Sequence, residues 1–218
     1  EHRHHCEPGY QELHVVHALA LEALAQLDLR AGVALDVGAS YGYYALMLSK
    51  LVGPTGRVYS FEPDPDSFAR LARNVALNGT CNVIALPLCI TDHGGGLRSW
   101  TSFQEAPWNN RLGAKRSSDE AAAVVVVAVS TIDEVAGALG IMSEVRLVKI
   151  DVEGAEGLVL EGAVTVLGES KPVILCEIHG PEAGERVTGE LSRQGYTWRL
   201  IDEASDVRYH ILALPHGR

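Results

Sequence analysis

The chain has 218 residues, 28 of them acidic and 18 basic, for a net charge of −10. That length suits one domain large enough to bury a core without staples. The acidic balance argues against a nucleic-acid backbone as main partner, because phosphate binding needs a basic face.

Residues 1–10 read as an irregular lead-in, and residues 11–218 as a single domain. Leu13, Val16, Ala20, Leu24 and Leu27 fall at three- and four-residue spacing and predict a helix over Gln11–Leu27. Beyond it, short apolar runs alternate with longer helical stretches. The predicted strands are Val33–Val37, Arg57–Phe61, Asn82–Leu86, Arg146–Ile150 and Pro172–Ile178. The predicted helices between and after them are Tyr43–Leu51, Asp66–Asn78, Ile132–Leu139, Ala155–Leu167 and Glu182–Gln194. Such alternation implies right-handed crossovers and a mostly parallel sheet covered on both faces. Tyr196–Ile201 and Arg208–Leu214, joined by a polar turn, predict a terminal antiparallel hairpin, so the sheet has seven strands. Residues 94–120 break the pattern: Gly94-Gly95-Gly96 leads into an aperiodic stretch, expected to be a mobile lid inserted in the domain.

No apolar run approaches the roughly 18 residues of a spanning helix, so no membrane partner is expected. Cys6, Cys81, Cys89 and Cys176 lack metal-type pairing, and the polar, His-rich start does not read as a secretory signal. A reduced, cytoplasmic protein is expected.

The most informative stretch runs from Val33 through Asp36, Gly38, Ala39, Ser40 and Gly42 to Ala45: an apolar strand, a glycine turn, then a helix. Such a turn brings backbone amides and a positive helix end beside a ligand. Gly38 permits close backbone approach, and Gly42 permits tight packing of the helix on the sheet. A second strand ends in Phe61-Glu62-Pro63, placing a carboxylate 20 residues beyond Gly42, an offset suited to ribose hydroxyls. Ser40 and Tyr43 stand where a dinucleotide turn needs glycine, which disfavours a nicotinamide-dependent oxidoreductase. A ligand with ribose and no pyrophosphate fits better, and S-adenosylmethionine is the commonest.

Asp36-Val37-Gly38-Ala39-Ser40-Tyr41-Gly42, Phe61-Glu62-Pro63, Lys149-Ile150-Asp151-Val152-Glu153-Gly154-Ala155-Glu156 and Glu177-Ile178-His179 together resemble the FkbM family of methyltransferases. The resemblance implies a Rossmann-like class I α/β fold and an S-adenosylmethionine-dependent enzyme releasing S-adenosylhomocysteine. It implies that Asp36, Gly38, Ala39, Ser40 and Gly42 hold the methionine half and Glu62 the ribose. Pro63 and Asp64 would border the adenosine, Cys89 and Ile90 would lie near the adenine, and Tyr10 would close over the cofactor. Ser40 departs from the family's usual Asn.

In an open α/β sheet, ligands sit beyond the carboxyl ends of the strands. Asp151 and Glu153 after one strand, and Glu177 and His179 after the next, therefore share a rim. Catalysis is expected from His179 as general base, with Asp151 and Glu177 positioning cofactor or acceptor. Asp151, Glu177 and His179 also resemble an oxygen/nitrogen metal set, but a divalent metal is not the favoured reading. Glu156 is expected only to bond the amides that open the next helix. His2, His4, His5 and Cys6 form another apparent ligand cluster, read as a terminal remnant. Trp100, Phe103, Trp108, Asn109 and Glu153 are expected to line the acceptor pocket. The expected reaction is O-methylation of a hydroxyl on a small molecule, sugar or polyketide-like acceptor. The alternatives are a nitrogen or carboxylate acceptor, or a cofactor-binding module without turnover.

Overall fold

Val33–Val37 is apolar at every position but Asp36, and it forms β1 near the middle of a seven-stranded sheet. The computed structural model describes residues 18–103, 111–112, 122–201 and 208–217, with backbone alone at 102–103, 111–112 and 122–123. A helix, α1, covers 18–25. Then come α2 (Tyr43–Val52), β2 (Arg57–Phe61), α3 (Pro65–Leu77), β3 (Val83–Leu86) and β4 (Leu88–Ile90). β5 (Leu97–Phe103), β6 (Arg111–Leu112), β7 (Ala122–Ser130), α4 (Ile132–Leu139) and β8 (Val145–Ile150) follow. The chain continues through α5 (Glu156–Glu161), α6 (Val164–Glu169), β9 (Val173–His179), α7 (Pro181–Arg193), β10 (Tyr196–Leu200) and β11 (Arg208–Pro215).

The large sheet has the order β10-β11-β9-β8-β1-β2-β3. β11 runs antiparallel to both β9 and β10, and the other neighbours are parallel. This is the Rossmann-like class I fold with its reversed final strand. The chain winds outward from β1 through β2 to β3, then returns to place β8 on the other side of β1. That switch point, at the carboxyl ends of β1 and β8, is where such sheets bind ligands.

Period-two alternation divides the core. Leu35, Val37, Val148, Ile150, Ile174 and Cys176 pack on one face with residues of α4 to α7. Ala34, Leu147, Leu175 and Leu212 pack on the other with α1 and α2, through Ala20, Leu24, Tyr44 and Leu48.

Two segments depart from the sequence reading. Leu97–Phe103 is not aperiodic chain but a strand, paired antiparallel with β7 in a second sheet of order β4-β7-β5-β6. Its alternation is hidden because Arg98, Ser99 and Thr101 place polar groups on both faces. Ala155–Leu167 is not one helix but two, broken at Gly162. A Cβ there would lie 2.2 Å from the Thr91 carbonyl oxygen, and the Gly162 carbonyl accepts from the Asp133 amide at 3.0 Å. Asp133 then caps the second helix through the Thr165 and Val166 amides. At the break the chain passes too close to Thr91 for any side chain at 162.

Candidate functional site

The same alternation that buries Ala34, Leu147, Leu175 and Leu212 brings charged residues to that face one step nearer the rim. Two residues beyond Ala34 stands Asp36; beyond Leu147 stand Lys149 and Asp151; beyond Leu175 stand Glu177 and His179. On antiparallel β11 the corresponding steps before Leu212 are His210 and Arg208, which pair in register with Glu177 and His179. A polar ridge thus crosses four strands at the ligand-binding end of the sheet.

Lys149 is its anchor. Its Nζ lies 3.4 Å from Asp36 Oδ1 and 3.4 Å from Asp151 Oδ2, donates to the Gly38 carbonyl at 3.1 Å, and sits 4.9 Å above the Tyr44 ring. Burial alone would discharge this ammonium, but Asp151 and Asp36 hold it protonated, above the ordinary lysine range. Asp36 is fully buried, and that burial raises its carboxyl despite Lys149. Asp36, expected beside the cofactor's methionine half, has no exposed surface here, and its charged neighbour is Lys149.

The glycine turn is tied to β2. The Gly38 and Ala39 amides donate to the Phe61 carbonyl at 3.1 and 3.0 Å, and the Ser40 amide donates to Glu62 Oε2 at 2.8 Å. Glu62 Oε1 accepts from the Asp64 amide at 2.9 Å. Both carboxylate oxygens are thus fixed, and each keeps a further lone pair. Burial pushes the Glu62 carboxyl up to about 7, against the opposing effect of those two amides. Gly38, Ser40 and Gly42 all adopt positive φ, at 75°, 48° and 91°. Asn visits that region more readily than Ser, so Ser40 occupies a strained position. Gly42 abuts α3 rather than the sheet, for a Cβ there would lie 2.7 Å from Leu71 Cδ1.

Asp64 caps α3, accepting from the Asp66 and Ser67 amides at 3.1 and 3.0 Å, while its Oδ2 is buried without a hydrogen bond. Pro63 stands half-buried between Glu62 and this cap. Ala39 and Ile90 turn their side chains into the core, so only their backbones remain for a ligand. Cys89 packs with Val127 and Val129, and burial pushes its thiol up to about 12, with Glu62 adding to the rise.

His179 gathers the acidic side chains. Its Nδ1 lies 2.7 Å from Glu156 Oε1. Its Nε2 lies 3.5 Å from Glu153 Oε2 and Glu177 Oε1 and 3.9 Å from Asp151 Oδ1. Arg208 reaches Glu177 Oε1 at 3.3 Å and Glu153 Oε2 at 3.5 Å, and His210 Nε2 reaches Glu177 Oε2 at 3.3 Å. Burial works to discharge the ring, but the bonded Glu156 and the other carboxylates override it and raise its pKa to about 10. The histidine partners hold the Glu177 carboxyl far below its ordinary range despite burial. Burial raises Glu153 to about 6, opposed by His179. The expected general-base role needs a neutral ring, which the surrounding carboxylates disfavour in the unliganded site.

Trp100 packs against the Cys89–Val127–Val129 cluster, so the structure gives it a packing contact where an acceptor-pocket role was expected. The Phe103 side chain, Tyr10, Trp108 and Asn109 lie outside the described residues. Glu156 does bond an opening amide, that of Gly154 at 2.9 Å, but it also holds His179, which the sequence reading did not foresee. Lys149, Arg208 and His210 were not singled out either. The usable signal was a charged residue two positions beyond an apolar one near a strand end.

Residues 36–198 match the family described as the methyltransferase FkbM domain. The chain is 29% identical over 157 residues to the hexuronic acid methyltransferase AglP of Haloferax volcanii, covering 72% of this chain and 60% of that protein. In structure it resembles the methyltransferase FkbM of Methylobacillus flagellatus (TM-score 0.56, 18% identity, 84% of this chain and 43% of that one). It likewise resembles the fibrillarin of Aeropyrum pernix, solved with natively bound S-adenosyl-L-methionine (TM-score 0.54, 16% identity, 89% of this chain and 76% of that one). The chain thus spans 60% of AglP and 43% of the FkbM structure.

Proposed function

The chain belongs to the FkbM methyltransferase domain family, and from that premise we propose that it moves a methyl group from S-adenosylmethionine to a hydroxyl oxygen of a small, sugar-derived acceptor. The observation that carries the reading is Glu62, fixed by the Ser40 and Asp64 amides with lone pairs left over, beside a turn in which Gly38 leaves no room for a Cβ. That arrangement fits two adjacent ribose hydroxyls above Glu62 and the amino-acid half along residues 38–42. When bound, the sulfonium would supply an activated methyl group, leaving S-adenosylhomocysteine behind while the acceptor hydroxyl's proton passes to solvent.

The chain's own contribution is alignment, since a displacement requires acceptor oxygen, methyl carbon and sulfur in line. Lys149 locks the glycine turn to Asp151, so the cofactor side and the acidic rim keep one spacing. Asp151, Glu153 and Glu177 face the acceptor side, where sugar hydroxyls are natural donors to carboxylates. The similarity to a hexuronic acid methyltransferase supports a sugar acceptor. The test is methyl-labelled cofactor offered with uronic acids, neutral sugars, phenolic and polyketide-like alcohols, and amines, with product mapped by mass spectrometry. Ether formation on a sugar is expected. Methylation at nitrogen or carboxylate would replace the O-methyl reading, and cofactor bound but unconsumed across the panel would leave a binding module.

A further inference from the structure

We propose that Asp151, Glu177 and His179 form a divalent-cation site at the rim. One ligand atom from each lies within 4.8 Å of the others. The His179 side chain is nine-tenths buried, and its Nε2 has no hydrogen-bond partner although it points among Asp151 Oδ1, Glu153 Oε2 and Glu177 Oε1. Its separations of 3.5 and 3.9 Å from Glu177 and Asp151 are long for N–H···O bonds, which centre on about 2.9 Å. They lie close to the edge of a coordination polyhedron: ligands about 2.1 Å from one ion stand roughly 3.0–3.4 Å apart.

The surroundings suit a metal-bound imidazole. A ligating His commonly gives its second ring N–H to a carboxylate, which fixes tautomer and orientation. Nδ1 of His179 has that partner in Glu156, at 2.7 Å, and Glu156 is itself completely buried and tied to the Gly154 amide. Nε2 is thereby left to face the carboxylates. Asp151 splits its oxygens: Oδ2 faces Lys149 and Oδ1 faces His179. Arg208 takes Glu177 Oε1 and Glu153 Oε2 from the β11 side, and a carboxylate oxygen has a second lone pair for an ion. Four carboxylates contact His179 (Asp151, Glu153, Glu156 and Glu177), and the permanent cations that reach them are Lys149 and Arg208. Lys149 also serves Asp36, so negative charge is in excess around His179 Nε2, as a cation would require. One imidazole with two carboxylates favours a first-row cation such as Mn²⁺ or Zn²⁺ over Ca²⁺. Its use in catalysis, binding an acceptor hydroxyl whose proton then leaves to water more readily, rests on the proposed methyl transfer; the binding itself does not.

The test titrates Mn²⁺ into the metal-stripped full chain while free Mn²⁺ is read by electron paramagnetic resonance. One equivalent should bind and be displaced by Zn²⁺. Asp151→Asn, nearly isosteric, and His179→Ala should each weaken binding at least about tenfold. Glu156→Gln, which leaves all three ligands in place, should weaken it by about 10–100-fold, the usual effect of losing a carboxylate behind a ligating His. Near-UV circular dichroism of each variant checks the fold. The full chain carrying His2→Ala, His4→Ala and His5→Ala should keep its equivalent of Mn²⁺. No binding by the wild type would overturn the site, as would binding abolished by the three N-terminal substitutions yet indifferent to Asp151→Asn. Mn²⁺ bound at the rim without any methyl transfer would uphold the site and count against the proposed activity; methyl transfer by a chain that binds no Mn²⁺ would do the reverse.

Discussion

A Cβ placed on Gly38 would lie 1.8 Å from the backbone carbonyl oxygen of Asp151. The turn after β1 and the turn after β8 therefore meet backbone to backbone. The Asp151 amide donates to the Val37 carbonyl at 3.1 Å, and Lys149 Nζ donates to the Gly38 carbonyl, so the contact is closed on three sides. The glycine turn and the acidic rim are thereby tied to each other directly.

Gly38→Ala should accordingly abolish cofactor binding in calorimetry with S-adenosylhomocysteine, because both the positive φ and the contact forbid a side chain. Gly140 is the matched control. It has φ of 67° at the end of α4, with nothing within 4 Å of a Cβ. Gly140→Ala should cost only about 1 kcal/mol of stability and leave affinity unchanged.

On the proposed reading, Glu62→Ala removes the acceptor for two ribose hydroxyls, and an unpaired buried polar group costs about 1–3 kcal/mol. Calorimetry should show affinity for S-adenosylhomocysteine lowered at least about tenfold. Unchanged affinity would mean that the ribose is held elsewhere.

The same carboxylate makes binding pH-dependent. Its folded-state pKa, about 7, stands above the ordinary 4.5. Between those values the unliganded fold holds a proton that the unfolded chain has lost. The stabilising contribution is thus complete below about 4.5 and fades as pH rises through about 7. Ribose hydroxyls favour the charged form, so binding expels that proton. Affinity should climb from about pH 5 to pH 7.5 and then level off. Measuring it in buffers of different ionisation enthalpy should reveal proton release by the wild type and none by Glu62→Gln.

Lys149→Met leaves Asp36 and Asp151 facing each other without their shared cation. Removing one member of a buried ion pair typically costs about 3–5 kcal/mol. Urea unfolding should show a loss of that size with an unchanged slope. A much smaller loss would mean that water or a movement of Asp151 compensates.

The large sheet was legible in the sequence because its central strands are buried on both faces and read as largely apolar runs, as at Val33–Val37. The reversed hairpin was equally visible, from two strand-like runs around a polar turn. The small sheet was not, because half-polar Leu97–Phe103 resembles loop when its partner Ala122–Ser130 is distant in sequence. The glycine turn and Glu62 stood out through local spacing. Lys149 did not, since a lysine inside an apolar strand acquires meaning only when Asp36 arrives from another strand. Glu156 was half legible: helix-opening acids are ordinary, and its bond to His179 needs the packing of α5 against β9.

β3 and β4 are separated by Pro87 alone, which has no amide hydrogen to continue the ladder, and there the chain leaves the large sheet for the small one. It returns through β7, which lies beside β4 in parallel, Ile90 opposite Ser130. Exit and re-entry are thus adjacent, and the Thr131–Glu134 capping box starts α4 immediately afterwards. Closing a longer excursion between fixed, neighbouring ends costs only about 0.6 kcal/mol per doubling of its length. The length of the stretch between β4 and β7 can therefore change at small entropic cost, without asking the β1–β8 switch point to refold.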